Sequence, residues 1–170
     1  MANLITEQKI VDTTKRAVIK YTIVSDGNNE ANTRLIDVSG LAYSLNTNGY
    51  IMTGNTDTKD NYRTTIKRIF SSLSTSDAHI RLQWEGDANG DIVTIGSGTT
   101  DCDFGISHDG VTISNPETNP TGDILITTKG FDTNTVATII IDLKKDNRDY
   151  DAGQTADPVA FNRGPGLLAP

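Results

Sequence analysis

Between residues 79 and 95 the chain alternates with a period of two. Ile80, Leu82 and Trp84 are interleaved with His79, Arg81, Gln83 and Glu85, and after Asp87-Ala88-Asn89-Gly90-Asp91 comes the run Ile92-Val93-Thr94-Ile95. Successive side chains of a strand point to opposite faces, so this spacing predicts a β-hairpin with its apolar row turned to a core. Further upstream, RAVIKYTIVSD places Val18 and Ile19 before Tyr21 and Ile23, set against Thr22 and Val24, and stops at Asp26-Gly27-Asn28-Asn29. That is a mostly buried strand ending in a turn. TRLIDVSGLAYSL contributes Leu35, Ile36 and Val38, and the polar stretch from Asn46 to Asn61 predicts a surface loop. DCDFG, VTIS, GDILITT and TVATIIIDLKK follow, each bounded by Gly, Pro, Asn or Asp, for a total of about eight to ten strands.

Two regions depart from this alternation. In YRTTIKRIFSSL the residues Tyr62, Ile66, Ile69, Phe70 and Leu73 also match one face of a helix, while Thr64 and Thr65 favour a strand, which is the expectation adopted. Residues 1–15 hold Leu4, Ile5, Ile10 and Val11 at roughly helical spacing on a segment too short to be a stable helix alone, so they predict an N-terminal arm or a short docking helix. Residues 16–146 form the expected sandwich domain. Residues 147–170 change character, with three of the chain's five prolines (Pro158, Pro165, Pro170) and no period of two, and predict an extended C-terminal tail.

Composition supports the strand reading and narrows the fold. Among 170 residues, 50 are β-branched against 10 Leu and 11 Ala, and 15 Gly and 14 Asn supply turns. With no helical segment to carry parallel crossovers, the expected fold is an all-β, antiparallel, jelly-roll-like β-sandwich. A net charge of −7 disfavours nucleic-acid and anionic-membrane partners. No apolar run approaches the roughly 20 residues of a bilayer span, and MANLITEQK lacks a signal-peptide core, so synthesis in a cytoplasm is expected. A single cysteine, Cys102, allows neither an internal disulfide nor a cysteine zinc site.

Candidate chemistry is sparse. Ser107-His108-Asp109 are adjacent, and adjacent side chains on an extended chain diverge, so they predict a loop rather than a triad; His79 predicts a solvated strand position. Asp87, Asn89 and Asp91 resemble the opening of a calcium loop, but Gly90 stands fourth and Gly98 occupies the twelfth position, so a hairpin turn is expected. Asp101 and Asp103 share a strand face and read as solvated. Gly96-Ser97-Gly98 lacks the Lys-Ser/Thr of a phosphate loop, Cys102 between two aspartates reads as an inert thiol, and Trp84 reads as core. No catalytic, cofactor-binding or metal-binding residue is assigned, and no enzyme is expected.

The tail retains Val159, Phe161, Leu167 and Leu168, apolar residues on a segment that cannot build its own core, which predicts contact with partners in a symmetric assembly. The order TTIKRIF, HIRLQWEGDANGDIVTIGSGTTDCDFG, TGDILITTKG and TVATIIIDLKKD resembles that of β-sandwich virion proteins of tailed bacteriophages, and the whole chain is similar to structural proteins of marine or cyanobacterial phages. The resemblance implies a non-enzymatic cement or decoration protein on the capsid exterior. Its implied partners are the major capsid protein and copies of itself, with a trimer favoured and no cofactor. The expected contacts are Leu4 and Ile5 of the arm and Val159, Phe161, Arg163, Leu167 and Leu168 of the tail, Arg163 offering a bidentate partner for a carboxylate. A neck or tail protein of the virion is one alternative. The other is a carbohydrate-binding module, which a row of exposed Tyr43, Tyr50 and Tyr62 would favour and burial of all three would sink.

Overall fold

The computed structural model describes residues 3–52, 58, 61–104 and 113–150. Its ten strands are β1 (Leu4–Asp12), β2 (Arg16–Asp26), β3 (Thr33–Ile36), β4 (Thr64–Leu73), β5 (His79–Trp84), β6 (Asp91–Ile95), β7 (Gly98–Asp103), β8 (Ile113–Ser114), β9 (Ile124–Lys129) and β10 (Thr133–Lys145). A single 3-10 turn, Val38–Gly40, is the one helical element among the described residues. The strands form two antiparallel sheets. One runs β1-β2-β10-β4-β7 with β8 also on β4, and the other runs β3-β9-β5-β6.

The expected sandwich is therefore present, and its topology is that of a jelly roll. The pairs β2/β10, β3/β9, β4/β7 and β5/β6 are nested along the chain like the rungs of one long ribbon. Rolling the ribbon brings β10 against β4 and β9 against β5, which closes the two sheets over a common core.

Alternation decides what that core contains. β2 buries Ala17, Ile19, Tyr21 and Ile23, β10 buries Ala137, Ile139, Ile141 and Leu143, and their even neighbours face outward. From the opposing sheet come Ile80, Leu82, Trp84, Ile124 and Ile126, all fully buried. Removing each such side chain from water contributes about 1.5–3 kcal/mol, so a core with one tryptophan can still be cohesive through its isoleucines. The hairpin over residues 79–95 has the faces the sequence predicts.

β4 resolves the ambiguous stretch as a strand and explains the ambiguity. Ile66 opposes Leu143 and Arg68 opposes Asp142, leaving Lys67 as an extra residue in a β-bulge. The insertion lets Thr64 and Ile66 before it, and Ile69, Ser71 and Leu73 after it, all face inward. One inserted residue thus turns a spacing of two into a spacing of three and imitates a helical face. At the same point β7 leaves the edge of β4, Phe104 N donating to Lys67 O at 2.8 Å, and β8 takes over beside Thr65 and Ile66.

Two stretches at the boundaries of the expected domain differ from expectation, while residues 151–170 of the expected tail lie outside the described residues. Residues 4–12, expected as an arm or short helix, form the edge strand β1, because pairing with β2 satisfies the backbone along the segment where an isolated helix would not hold. At the other end, the segment expected to be tail from residue 147 begins inside the domain. Tyr150 is fully buried and donates to Val38 O at 2.7 Å, and Asp149 receives Arg63 Nε at 2.6 Å and Nη2 at 3.0 Å.

Candidate functional site

A polar cleft of about 610 Å³ opens beside the start of β9, lined by Arg34, Asp37, Asn61, Asn119, Thr121 and Asp123 among others. Its geometry begins at Gly122. This glycine has φ +93°, and a Cβ added there would lie 2.1 Å from Tyr62 O, so the two backbones approach more closely than any side chain allows. The approach carries Tyr62 N to Thr121 O at 3.2 Å and delivers Asp123 beneath the 3-10 turn, where its Oδ1 accepts from Val38 N at 3.0 Å.

Pairing of β3 with β9 brings Arg34 alongside, its Nε 3.0 Å from Asp123 Oδ2 and its Nη2 3.6 Å from Glu85 Oε2. Thr121 Oγ1 donates to the same Glu85 oxygen at 2.7 Å. Asp37 caps the 3-10 turn by accepting from Gly40 N at 3.1 Å and Ser39 Oγ at 2.6 Å. Burial raises the Asp123 carboxyl to about 6; Val38 N–H and Arg34 pull it down, while Asp37 and Glu85 push it up. The cleft offers a guanidinium, carboxylates and amides, a set suited to hydrogen bonding a polar molecule. Among the described residues no group of three His, Cys, Asp or Glu side chains is placed to hold a metal ion.

The sequence reading passed over Arg34 and Asp123. They are distant in the chain and meet only through strand pairing, and the available signal was an acid directly after Thr121-Gly122 at the head of an apolar run.

The other sequence candidates are placed as follows. Leu4 is 64% exposed, whereas Ile5 is half-buried and packs against the core. Val159, Phe161, Arg163, Leu167, Leu168 and the Ser107-His108-Asp109 run lie outside the described residues. The oxygens of the calcium-like turn are engaged separately: Asn89 Oδ1 accepts from Gly86 N, Asp91 pairs with Arg81, and Asp87 accepts from Asn119. Asp101 and Asp103 do share the outer face of their sheet, and Asp101 receives both Arg68 Nε and Nη2, at 2.8 and 2.5 Å. Cys102, on the opposite face, packs partly against the core, and Trp84 is wholly buried. The tyrosines do not form a row: Tyr43 and Tyr50 are exposed, while Tyr62 is buried and donates to Leu45 O at 2.8 Å.

Comparison with protein-family models and with curated proteins finds no match for this chain.

Proposed function

We propose that the chain is a non-enzymatic structural protein of a bacteriophage virion, binding the major capsid protein and further copies of itself to stabilise the shell from outside. The observation that carries this reading is a jelly roll whose larger sheet ends in a nine-residue strand that pairs with no described strand on its outer side, with Leu4 exposed on it. Closed sandwiches cover or shorten such edges, so an open one is a feature of a subunit built to be joined. The acidic balance agrees with a position away from packaged DNA, and Val159, Phe161, Leu167 and Leu168 supply apolar side chains for neighbours. A neck or tail location in the particle would use the same features.

The test is deletion of residues 152–170 followed by two measurements, folding by circular dichroism and incorporation into particles assembled from a phage major capsid protein. The proposal expects a folded domain that no longer incorporates. Normal incorporation of the truncated chain removes the tail from the mechanism.

The cleft at Arg34 and Asp123 favours a second reading, a module that binds a carbohydrate or similar polyhydroxyl ligand. It expects glycan binding that survives the same deletion and is lost in Arg34→Ala.

A further inference from the structure

The four sheet edges are not equivalent. β3 and β6, which bound the smaller sheet, have four and five residues and irregular pairing, and β6 begins with the acidic Asp91. β7 has six residues and presents Asp101 and Asp103. Short strands, bulges and charges are the devices that keep edges from pairing with other chains. β1 is longer, at nine residues, pairs with β2 on one side and with no described strand on the other, and runs in regular register from Leu4 to Lys9. Leu4 and Ile10 on it are 64% and 50% exposed.

We propose that β1 pairs antiparallel with β1 of a second copy across a two-fold axis at Gln8, extending the larger sheet through a homodimer.

The charges on the strand select that register. Joining two copies into one continuous sheet about a two-fold axis requires residues facing each other to lie on the same sheet face, so the axis passes through a residue rather than between two. Placed at Glu7, it would set two glutamates against each other. Placed at Thr6, it would oppose Glu7 to an isoleucine. Placed at Gln8, it sets Glu7, whose Oε2 also accepts from Tyr21 Oη at 2.9 Å, opposite Lys9 of the second copy, whose Nζ also donates to Gly40 O at 3.1 Å, and the same pair recurs across the axis with the two Gln8 amides facing. Opposite charges across strands favour pairing and like charges oppose it, so the same two residues reject other registers and other acidic edges. The bulge between Lys9 and Val11 ends the regular ladder and keeps the contact short. This inference rests on the assembly reading only for the expectation of self-association, and it replaces the three-fold arrangement expected from the sequence with a two-fold contact.

Sedimentation velocity of the full chain at physiological salt, over about 1 to 300 µM, tests it. The expected result is a species of twice the 18.3 kDa chain mass that grows with concentration, accompanied by slower hydrogen exchange of the Thr6–Ile10 amides. Lys9→Glu is expected to weaken association at least tenfold, and the exchange of both charges, Glu7→Lys with Lys9→Glu, to restore it to within about threefold of the parent. Circular dichroism of each variant separates loss of pairing from loss of folding. A monomer across the whole range, a trimer, or a double exchange as weak as Lys9→Glu overturns the proposal. Particle incorporation is a separate measurement: a dimer that never enters particles leaves this contact standing and removes the shell reading.

Discussion

Lys145, the last residue of β10, is wholly buried and donates to Asp12 Oδ1 at 2.5 Å and to Ala42 O at 2.8 Å, with its ammonium 4.9 Å from the ring centre of Tyr150. Asp12 in turn accepts from Ala42 N at 2.9 Å. One ion pair thus joins the end of the last strand to the end of the first and pins the segment between β3 and β4 to both.

Breaking this pair from the acidic side strands a buried cation. Asp12→Asn is expected to cost about 3 kcal/mol, and Lys145→Met about 1 kcal/mol, because Asp12 keeps some access to water and a hydrophobic side chain fits where the lysine stem lies. Burial lowers the pKa of Lys145 and Asp12 opposes that shift. With the folded value below the ordinary 10.5, the unfolded state binds the proton more tightly than the folded one, so the burial penalty is largest at low pH. Stability from this group therefore rises as the pH climbs toward 10.5, and in Asp12→Asn the rise begins at lower pH. Urea midpoints between pH 7 and about 10 measure both effects; equal losses in the two variants would contradict the account.

Asp123 gives a pH dependence of the opposite sense. Its carboxyl is raised to about 6 in the fold against 3.8 unfolded, so between these values the folded state binds more protons. The stability it contributes is fully present below about 3.8 and is lost as the pH rises through about 6. Paired surface carboxylates such as Asp91 and Asp101 are lowered by Arg81 and Arg68 and change stability the other way, so the informative quantity is a difference. The gap in stability between the parent and Asp123→Asn is expected to change between pH 4 and 6.5 and to stay level from pH 7 to 8. A gap that is flat across pH 4 to 6.5 would place the Asp123 titration elsewhere.

The bulge at Lys67 makes a sharp distinction within β4. Ile66 and Ile69 are both fully buried, so each change to Ala is expected to cost about 2–5 kcal/mol, whereas Phe70 sits half-buried on the outer face and Phe70→Ser should cost about 1 kcal/mol or less. A helical face would group Phe70 with Ile66 and Leu73 and make the three equivalent. Thermal or urea unfolding of the three variants decides between the patterns.

The same strand shows where sequence reading succeeds and where it stops. Alternation exposed the Ile80-Leu82-Trp84 row because β5 pairs with β9 in an uninterrupted register from His79 to Trp84. It gave two readings for β4 because a bulge is decided by the partner strand, and nothing local to Lys67 announces one. Residues 4–12 were misjudged for a related reason, since spacing alone does not reveal that β2 offers a free edge. The Arg34–Asp123 cleft depends on a contact made only after the ribbon rolls, beyond the reach of any pattern of neighbours.

Gly122 tests the link between that rolled contact and the cleft. Its positive φ of +93° and the approach of Tyr62 O to 2.1 Å from an added Cβ both oppose a side chain, and the obstructing atom is backbone that cannot swing aside. Gly98 is the matched control, with φ +85° and open space around it. Gly98→Ala should cost about 1 kcal/mol, the conformational term alone, while Gly122→Ala should cost about 3 kcal/mol or more. The strain falls where Thr121 and Asp123 are positioned, so Gly122→Ala is also expected to move Asp123 out of its buried position, which removes the burial that raises its carboxyl and flattens the pH dependence between 4 and 6. Urea unfolding of the two variants across that range measures both. Equal losses at the two glycines, or an unchanged pH profile in Gly122→Ala, would show that the close approach does not hold the cleft in shape.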